Sequence, residues 1–316
     1  MEKLASIVIV TCNRLEFARQ TIESIFKNTL YPNYELILID NGSTDGTVEY
    51  LKEIENRPQI SHIIYFNNNE GKGKAANYGF ALSKGEYIIG LDDDVIVPEG
   101  WLTKLIEAID IIPNVGWLSI NLEKEYWGSF SRKDPYNVFR PEYERKFGNF
   151  TIQEVPDVAG FCVAMPRSTY EKLGGYVENI YYGGIDGEYN RRAMSHGLLT
   201  GYLMDVVGIH LGGSDKEKQL YSEYQEYKLE TQKQLKKGNF NLAKIDFFKV
   251  KYSPEVLKQG QLIKGEKSAV YFVYNGQKHL ITSTDVFNRL NFRWEDVKIL
   301  PQSEVDKIPT GNPISL

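Results

Sequence analysis

Three consecutive carboxylates, Asp92, Asp93 and Asp94, close the apolar run 87–91 and precede a second short apolar run at 95–97. So short an apolar run predicts a buried strand, which puts the triplet at the rim of a core, where uncompensated charge is costly. At about 4 Å two like charges repel by roughly 4 kcal/mol at an effective dielectric of 20, so such a cluster holds protons, water or a divalent cation. Oxygen ligands suit magnesium, manganese or calcium. An isolated acidic triplet would more simply be a solvated turn whose aspartates cap the next helix. Its surroundings decide between the two.

Residues able to do chemistry recur at the ends of similar runs. The run 6–10 leads into Thr11-Cys12-Asn13-Arg14, and 35–39 into Asp40-Asn41-Gly42-Ser43. The run 62–66 is followed by Asn69 and a glycine-rich turn holding Gly71 and Gly73, and 86–91 ends at the aspartates. Apolar residues at helical spacing predict helices over 13–27, 44–54 and 74–83 between them. Strands alternating with helices and apolar on both faces imply an α/β fold with a mostly parallel, doubly wound sheet and flanking helices. In such sheets ligands bind beyond the carboxyl ends of the strands, where all four segments fall. Gly71, Gly73 and Lys74 invite a P-loop reading, but Ala75 follows where that motif needs Ser or Thr, and the NTPase reading falls.

Further on, a helix over 99–112 and a strand over 116–120 are followed by an aromatic-rich excursion, 123–154, with no clear period. Regular patterning resumes with a strand at 158–165, a short helix from Ser168, a helix at 185–196, a strand at 206–210 and a helix at 219–237 closed by Gly238. Past about 253, short alternating runs around Asn275-Gly276 signal a hairpin. The expected organisation is a large domain over 1–240, a linker over 241–255 and a small β-rich module over 256–316. For that module, oligomerisation and structural capping rank ahead of acceptor binding.

Length and charge bound the rest. With 316 residues, 42% of them hydrophobic, the chain can bury a full core, and a net charge of −5 gives no general attraction to nucleic acid or acidic membrane. Cys12 and Cys162 are its only cysteines, each in an apolar segment, which argues against a disulfide framework and fits a reducing compartment. No run approaches the ~18 apolar residues of a membrane span and no signal-peptide layout opens the chain, so a cytoplasmic location is expected, with peripheral membrane association left open.

Four stretches, Ile7-Val-Ile-Val-Thr-Cys-Asn-Arg14, Ile39-Asp-Asn-Gly-Ser-Thr-Asp-Gly-Thr47, Asn69-Glu-Gly71 through Asn77-Tyr-Gly79, and Leu91-Asp-Asp-Asp94, resemble the ordered motifs of glycosyltransferase family 2. The resemblance covers about 4–212. It implies a GT-A fold and an inverting, metal-dependent transfer of a sugar from a nucleoside-diphosphate donor, a uridine donor being favoured. The acceptor would be a hydroxyl of a glycan, lipid-linked or protein substrate. The cofactor would be Mn2+ or Mg2+. On this pattern Asp40 holds the base, while Thr11, Asn13 and Arg14 open a helix whose amides and cation favour phosphate. Arg14 serves equally well as a solvated charge. Asn69, Gly71 and Lys74 fall near the diphosphate and Asn77 on the nucleoside side. Asp92 falls nearer the ribose, Asp93 supports either neighbour, Asp94 is the direct metal ligand with Asp92 beside it, and His210 faces the metal or the diphosphate.

The segment 181–192 resembles the family's acidic stretch that opens a helix, which makes Asp186 the catalytic base, Glu188 a supporting acid and Arg192 the helix arginine. Ile185 stands where the family usually has Glu. Two other readings stay open. A sugar nucleotidyltransferase shares this layout but opens with a glycine-rich basic loop, and Thr11–Arg14 contains no glycine. A non-catalytic glycan-binding protein would rely on aromatics such as Trp127.

Overall fold

A computed structural model describes residues 2–123, 144–155, 158–178, 185–212, 261–274, 277–290, 292–311 and 313–314. The sequence-predicted helix over 219–237, the linker over 241–255, Trp127 and the Asn275-Gly276 turn lie outside the described residues.

The first half alternates as its periodicities require. Strand β1 (Ala5–Thr11) is followed by α1 (Leu15–Asn28), β2 (Tyr34–Asp40) by α2 (Thr47–Ile54), β3 (Ile60–Tyr65) by α3 (Lys72–Leu82), and β4 (Tyr87–Asp92) completes the set. Strands β1 and β2 are almost wholly buried, as continuous apolar runs covered on both faces should be. They pair in parallel, with Thr11 opposite Asp40 and Val10 opposite Asp92. That register aligns the chemically active strand ends along one rim.

Next come β5 (Val95–Ile96), α4 (Trp101–Ile111), β6 (Val115–Leu122), β7 (Glu144–Phe147), β8 (Phe150–Glu154), β9 (Cys162–Pro166), α5 (Arg167–Leu173), α6 (Ile185–Ser195) and β10 (Leu199–His210). Among the described residues the sheet has ten strands in the order β3-β2-β1-β4-β9-β6-β10-β8-β7, with β5 pairing the end of β10. The first four are parallel; β9 runs antiparallel to both β4 and β6, and β7 and β8 form an antiparallel margin. Two differences from the sequence reading concern this second half. The strand expected at 206–210 is the end of a twelve-residue strand, because Leu199–Leu203 lies between β6 and β8 and shows no alternation to read. The end of the aromatic excursion is the β7–β8 hairpin, whose outer strand carries exposed Glu144, Arg145 and Lys146, charges suited to a sheet edge.

The C-terminal part holds β11 (Gln261–Lys264), β12 (Val270–Tyr274), β13 (Gln277–Leu280), α7 (Thr284–Arg289), β14 (Val297–Ile299) and α8 (Gln302–Lys307). Its sheet runs β13-β12-β11-β14, and β12 and β13 pair antiparallel as the hairpin signal requires. Ser283 caps α7 by accepting from the Val286 amide. Phe272, Val286, Phe287, Leu290 and Ile314 join the same hydrophobic cluster as the large sheet. The module covers β3, the outermost parallel strand: His62 of β3 is buried and hydrogen-bonds the Leu290 carbonyl, and Tyr78 of α3 meets the His279 ring.

Burial pushes the His62 imidazole down from 6.5 to about 4, with the Leu290 carbonyl and Glu35 opposing the shift and Lys84 adding to it. A folded pKa below the unfolded one means that the unfolded chain alone takes up the proton between those values. Stability therefore falls as pH drops from about 6.5 to 4, by up to about 3 kcal/mol, and is unaffected by this group above that window. Urea denaturation of His62→Gln across that range should show a flatter slope than the parent; an equal slope would remove His62 as its source.

Candidate active site

At the rim, β4 delivers Asp92 and the turn after it delivers Asp93 and Asp94. The two latter side chains are buried, and so is Arg14, which precedes α1: its Nη1 lies 2.8 Å from Asp93 Oδ1 and its Nη2 2.7 Å from Asp94 Oδ2. The guanidinium also stacks over the Phe17 ring at 5.1 Å. Arg14 is thus not a solvated charge; it is a buried counter-ion of Asp93 and Asp94. Burial pushes Asp93 up to about 6 despite Arg14, whereas His210, Arg14 and Lys72 outweigh burial at Asp94 and hold it below the usual carboxylate range.

The last residue of β10, His210, pairs with Val95 of β5, and its Nε2 lies 3.5 Å from Asp94 Oδ1. Asp94 Oδ1 is buried and accepts no hydrogen bond among the described residues. A Cβ on Gly212 would meet Asp94 Oδ2 and His210 Cε1, both at 2.5 Å, so the turn leaves this carboxylate–imidazole pair clear. An orphaned carboxylate oxygen facing an imidazole nitrogen offers two donors of the kind a divalent cation accepts, and among the described residues no group of three or more acidic, His or Cys side chains is placed to hold one.

Lys72, the first residue of α3, supplies the second counter-charge. Its Nζ lies 2.6 Å from Asp92 Oδ1, with both side chains partly exposed. The field of Asp92, then of Asp186 and Tyr176, overcomes burial and keeps the ammonium charged. The sequence reading marked Lys74 instead, yet Lys74 pairs with Glu70 and lines the cleft shared with Tyr78 and Phe272 of the C-terminal module. Residues two apart on a helix face different ways, and the signal that picks Lys72 is its place on the first turn, beside the end of β4.

Loops after β1, β2 and β3 are laced together by short polar side chains. Asp40 is buried; its Oδ2 accepts from the Ser43 amide while its Oδ1 makes no hydrogen bond among the described residues. Thr11 is buried opposite it. Asn13, in the left-handed region at φ 52°, accepts from the Thr44 amide and donates its own to Ser43. Asn69 Oδ1 accepts from Asn41 Nδ2 and from the Gly71 amide, so Asn41, absent from the sequence-derived set, is part of the same brace.

Asp186 opens α6, where an acid suits the helix dipole. Its Oδ1 is buried beneath the segment before β9: a Cβ on Gly160 would stand 2.2 Å from it, so only glycine leaves that carboxylate its place. Ile185 is buried beside Gly73 of α3, which turns the position usually acidic in the family into core packing. Glu188 and Arg192 form a two-pronged pair at 2.9 and 2.8 Å, and Arg192 also donates to the Leu173 and Gly175 carbonyls. Asn77, fully inside, accepts from the Tyr176 amide and donates to the Tyr176 carbonyl and to Glu178. Asn77 and Arg192 therefore brace the turn around Tyr176, whose ring packs on Trp117 and Tyr189 under the site.

Residues 6–174 match the family model described as Glycosyl transferase family 2. The glycosyltransferase GlyG of Streptococcus pneumoniae serotype 4 is 33% identical over 109 residues, which is 34% of this chain and 36% of that protein. The chain thus matches only about a third of that relative's length. Among solved structures, the mannosyltransferase PcManGT of Pyrobaculum calidifontis, in complex with GDP-Man and Mn2+, superposes with a TM-score of 0.54 at 20% identity, covering 68% of this chain and 59% of that one. GalNAc-T7 with UDP, GalNAc and Mn2+ gives the same TM-score at 20% identity, covering 66% of this chain and 44% of that one. At those identities the likeness concerns the fold. Among the described residues no helix is long and apolar enough to cross a membrane.

The brace around Tyr176 predicts a stability phenotype. Asn77→Ala strands a buried amide and carbonyl and should cost about 2–4 kcal/mol in chemical denaturation, whereas Lys74→Ala, breaking a half-exposed pair, should cost under about 1 kcal/mol. Equal effects would contradict the brace.

Proposed function

Since the chain belongs to glycosyltransferase family 2, we propose that it transfers a sugar from a nucleoside diphosphate, a uridine donor being favoured, to a hydroxyl acceptor with inversion at the anomeric carbon. The observation that carries this reading is the alignment of strand ends, which brings Asp40, Asp92 and His210 to one rim with Asp94 beside them, while Asp186, at the start of α6, acts on the Lys72 that pairs with Asp92. Asp40, with one buried oxygen still to be satisfied, suits the imide N–H of the base. Asp94 and His210, with Asp92 alongside, would hold the divalent cation, which when bound acts as a Lewis acid on the departing diphosphate. Two of the fold's solved relatives were captured with Mn2+, which supports that choice.

Asp186 is the proposed base. As the acceptor oxygen bonds to the anomeric carbon, the bond from that carbon to the diphosphate oxygen breaks and the acceptor proton passes to the Asp186 carboxylate. Lys72 pairs with Asp92 at 2.6 Å, and the charges of both Asp92 and Asp186 act on its ammonium. Glu188 and Arg192 hold the helix that presents the base.

Asp186→Asn should leave donor affinity within about threefold while turnover falls at least about 100-fold, the lower bound for a general base. Unchanged turnover would remove Asp186 from the mechanism. A thermal-shift panel of nucleotide sugars, with and without manganese, should show stabilisation that needs both; a ligand at 100 times its dissociation constant adds about 2.7 kcal/mol. Stabilisation persisting in chelator would count against the metal's bridging role.

A further inference from the structure

We propose that Lys72 is the resident counter-cation of the donor site, holding Asp92 in the donor-free protein and yielding it when a divalent cation arrives with a nucleoside diphosphate. This rests on the reading that Asp92 and Asp94 take a metal–diphosphate donor.

The charges at the rim are matched unequally. Asp93 and Asp94 share Arg14, whose side chain is 7% exposed and clamped by two short contacts and the Phe17 ring. Asp92 instead pairs with Lys72, whose side chain is 31% exposed and carries its charge on a flexible four-carbon stem. One counter-ion is held at two points and nearly sealed from water; the other pairs with a single carboxylate at the exposed side. A bare divalent cation approaching Asp92 would meet an ammonium already 2.6 Å from the carboxylate and a guanidinium just behind it. A nucleoside diphosphate brings at least two negative charges and reverses that balance, so metal and nucleotide should each favour the other's binding by the same factor. Displacement does not strand the ammonium, because Asp186 already acts on it as a second anion. An arginine at 72 would keep the charge, and a methionine would keep the length without it.

Mn2+ binding to the full chain, followed through the electron paramagnetic resonance signal of the free ion, tests this without any turnover. Wild-type protein should bind Mn2+ weakly alone and at least about tenfold more tightly with UDP or GDP, whichever stabilises it. Lys72→Met should bind Mn2+ alone about tenfold more tightly than wild type and gain correspondingly less from the nucleotide, while Lys72→Arg, which keeps the charge, should bind Mn2+ alone as weakly as wild type. Lys72→Gln carries the same expectation as the methionine variant should that one fail to fold. If charge-removing variants bind Mn2+ alone no more tightly than wild type, yet still bind it with nucleotide, the counter-cation role falls and the donor-site reading stands. A wild type that takes up no Mn2+ even with nucleotide would overturn both.

Discussion

Everything at the rim depends on a buried arginine. Arg14 lies between Asp93 and Asp94 at hydrogen-bond distance from each, and all three are nearly sealed from water. Removing one partner of such a group leaves an uncompensated buried charge, a loss of about 3–5 kcal/mol in comparable sites. The loop after β1 is consequently fixed to the turn after β4, although 79 and 80 residues separate the partners in sequence. With those two loops locked, the brace through Asn41 and Asn69 has a rigid wall to build on, and Asp40 is held with an oxygen to spare. Preorganisation of this kind is what lets charge act without rearrangement when a ligand arrives.

The neutralisation is divided between groups of different stiffness. Arginine presents a planar fork that matches two carboxylates at once, and lysine a point charge on a mobile stem. Arg14 therefore serves architecture while Lys72, at the exposed side of the same cluster, is suited to exchange partners. The same division appears around Tyr176, where the buried Asn77 and the fork of Arg192 anchor a turn.

Much of this was legible in the sequence, for a physical reason. Parallel strands buried on both faces write themselves as continuous apolar runs, so β1 to β4 and the residues at their ends could be read directly. Asp92 to Asp94 and Asp40 stood out because charge beside such runs is rare, whereas Asp186 was marked only by the family resemblance of its segment. What a side chain points at is another matter. Periodicity does not tell Lys72 from Lys74, nor does it reveal that Arg14 turns inward and Asn77 faces backbone, since those outcomes depend on pairings across about 80 and 100 residues. The long strand β10 was half hidden because its middle shows no alternation, and Asn41 because it sits in a motif whose other members draw attention.

The covering of β3 by the C-terminal module carries a consequence for how the chain is made. His62, Ile64 and Tyr78 emerge well before Phe272, Leu290 and Ile314, against which that edge is packed. At about 5–20 residues per second, the roughly 250 intervening residues keep the ribosome occupied for ten seconds or more. Throughout that interval the nascent sheet presents an open parallel edge with unpaired amides, the kind of surface on which strands of other chains add. That edge can be covered only once residues 261–314 have followed it, so the order of synthesis leaves this margin of the sheet open until the small module is made.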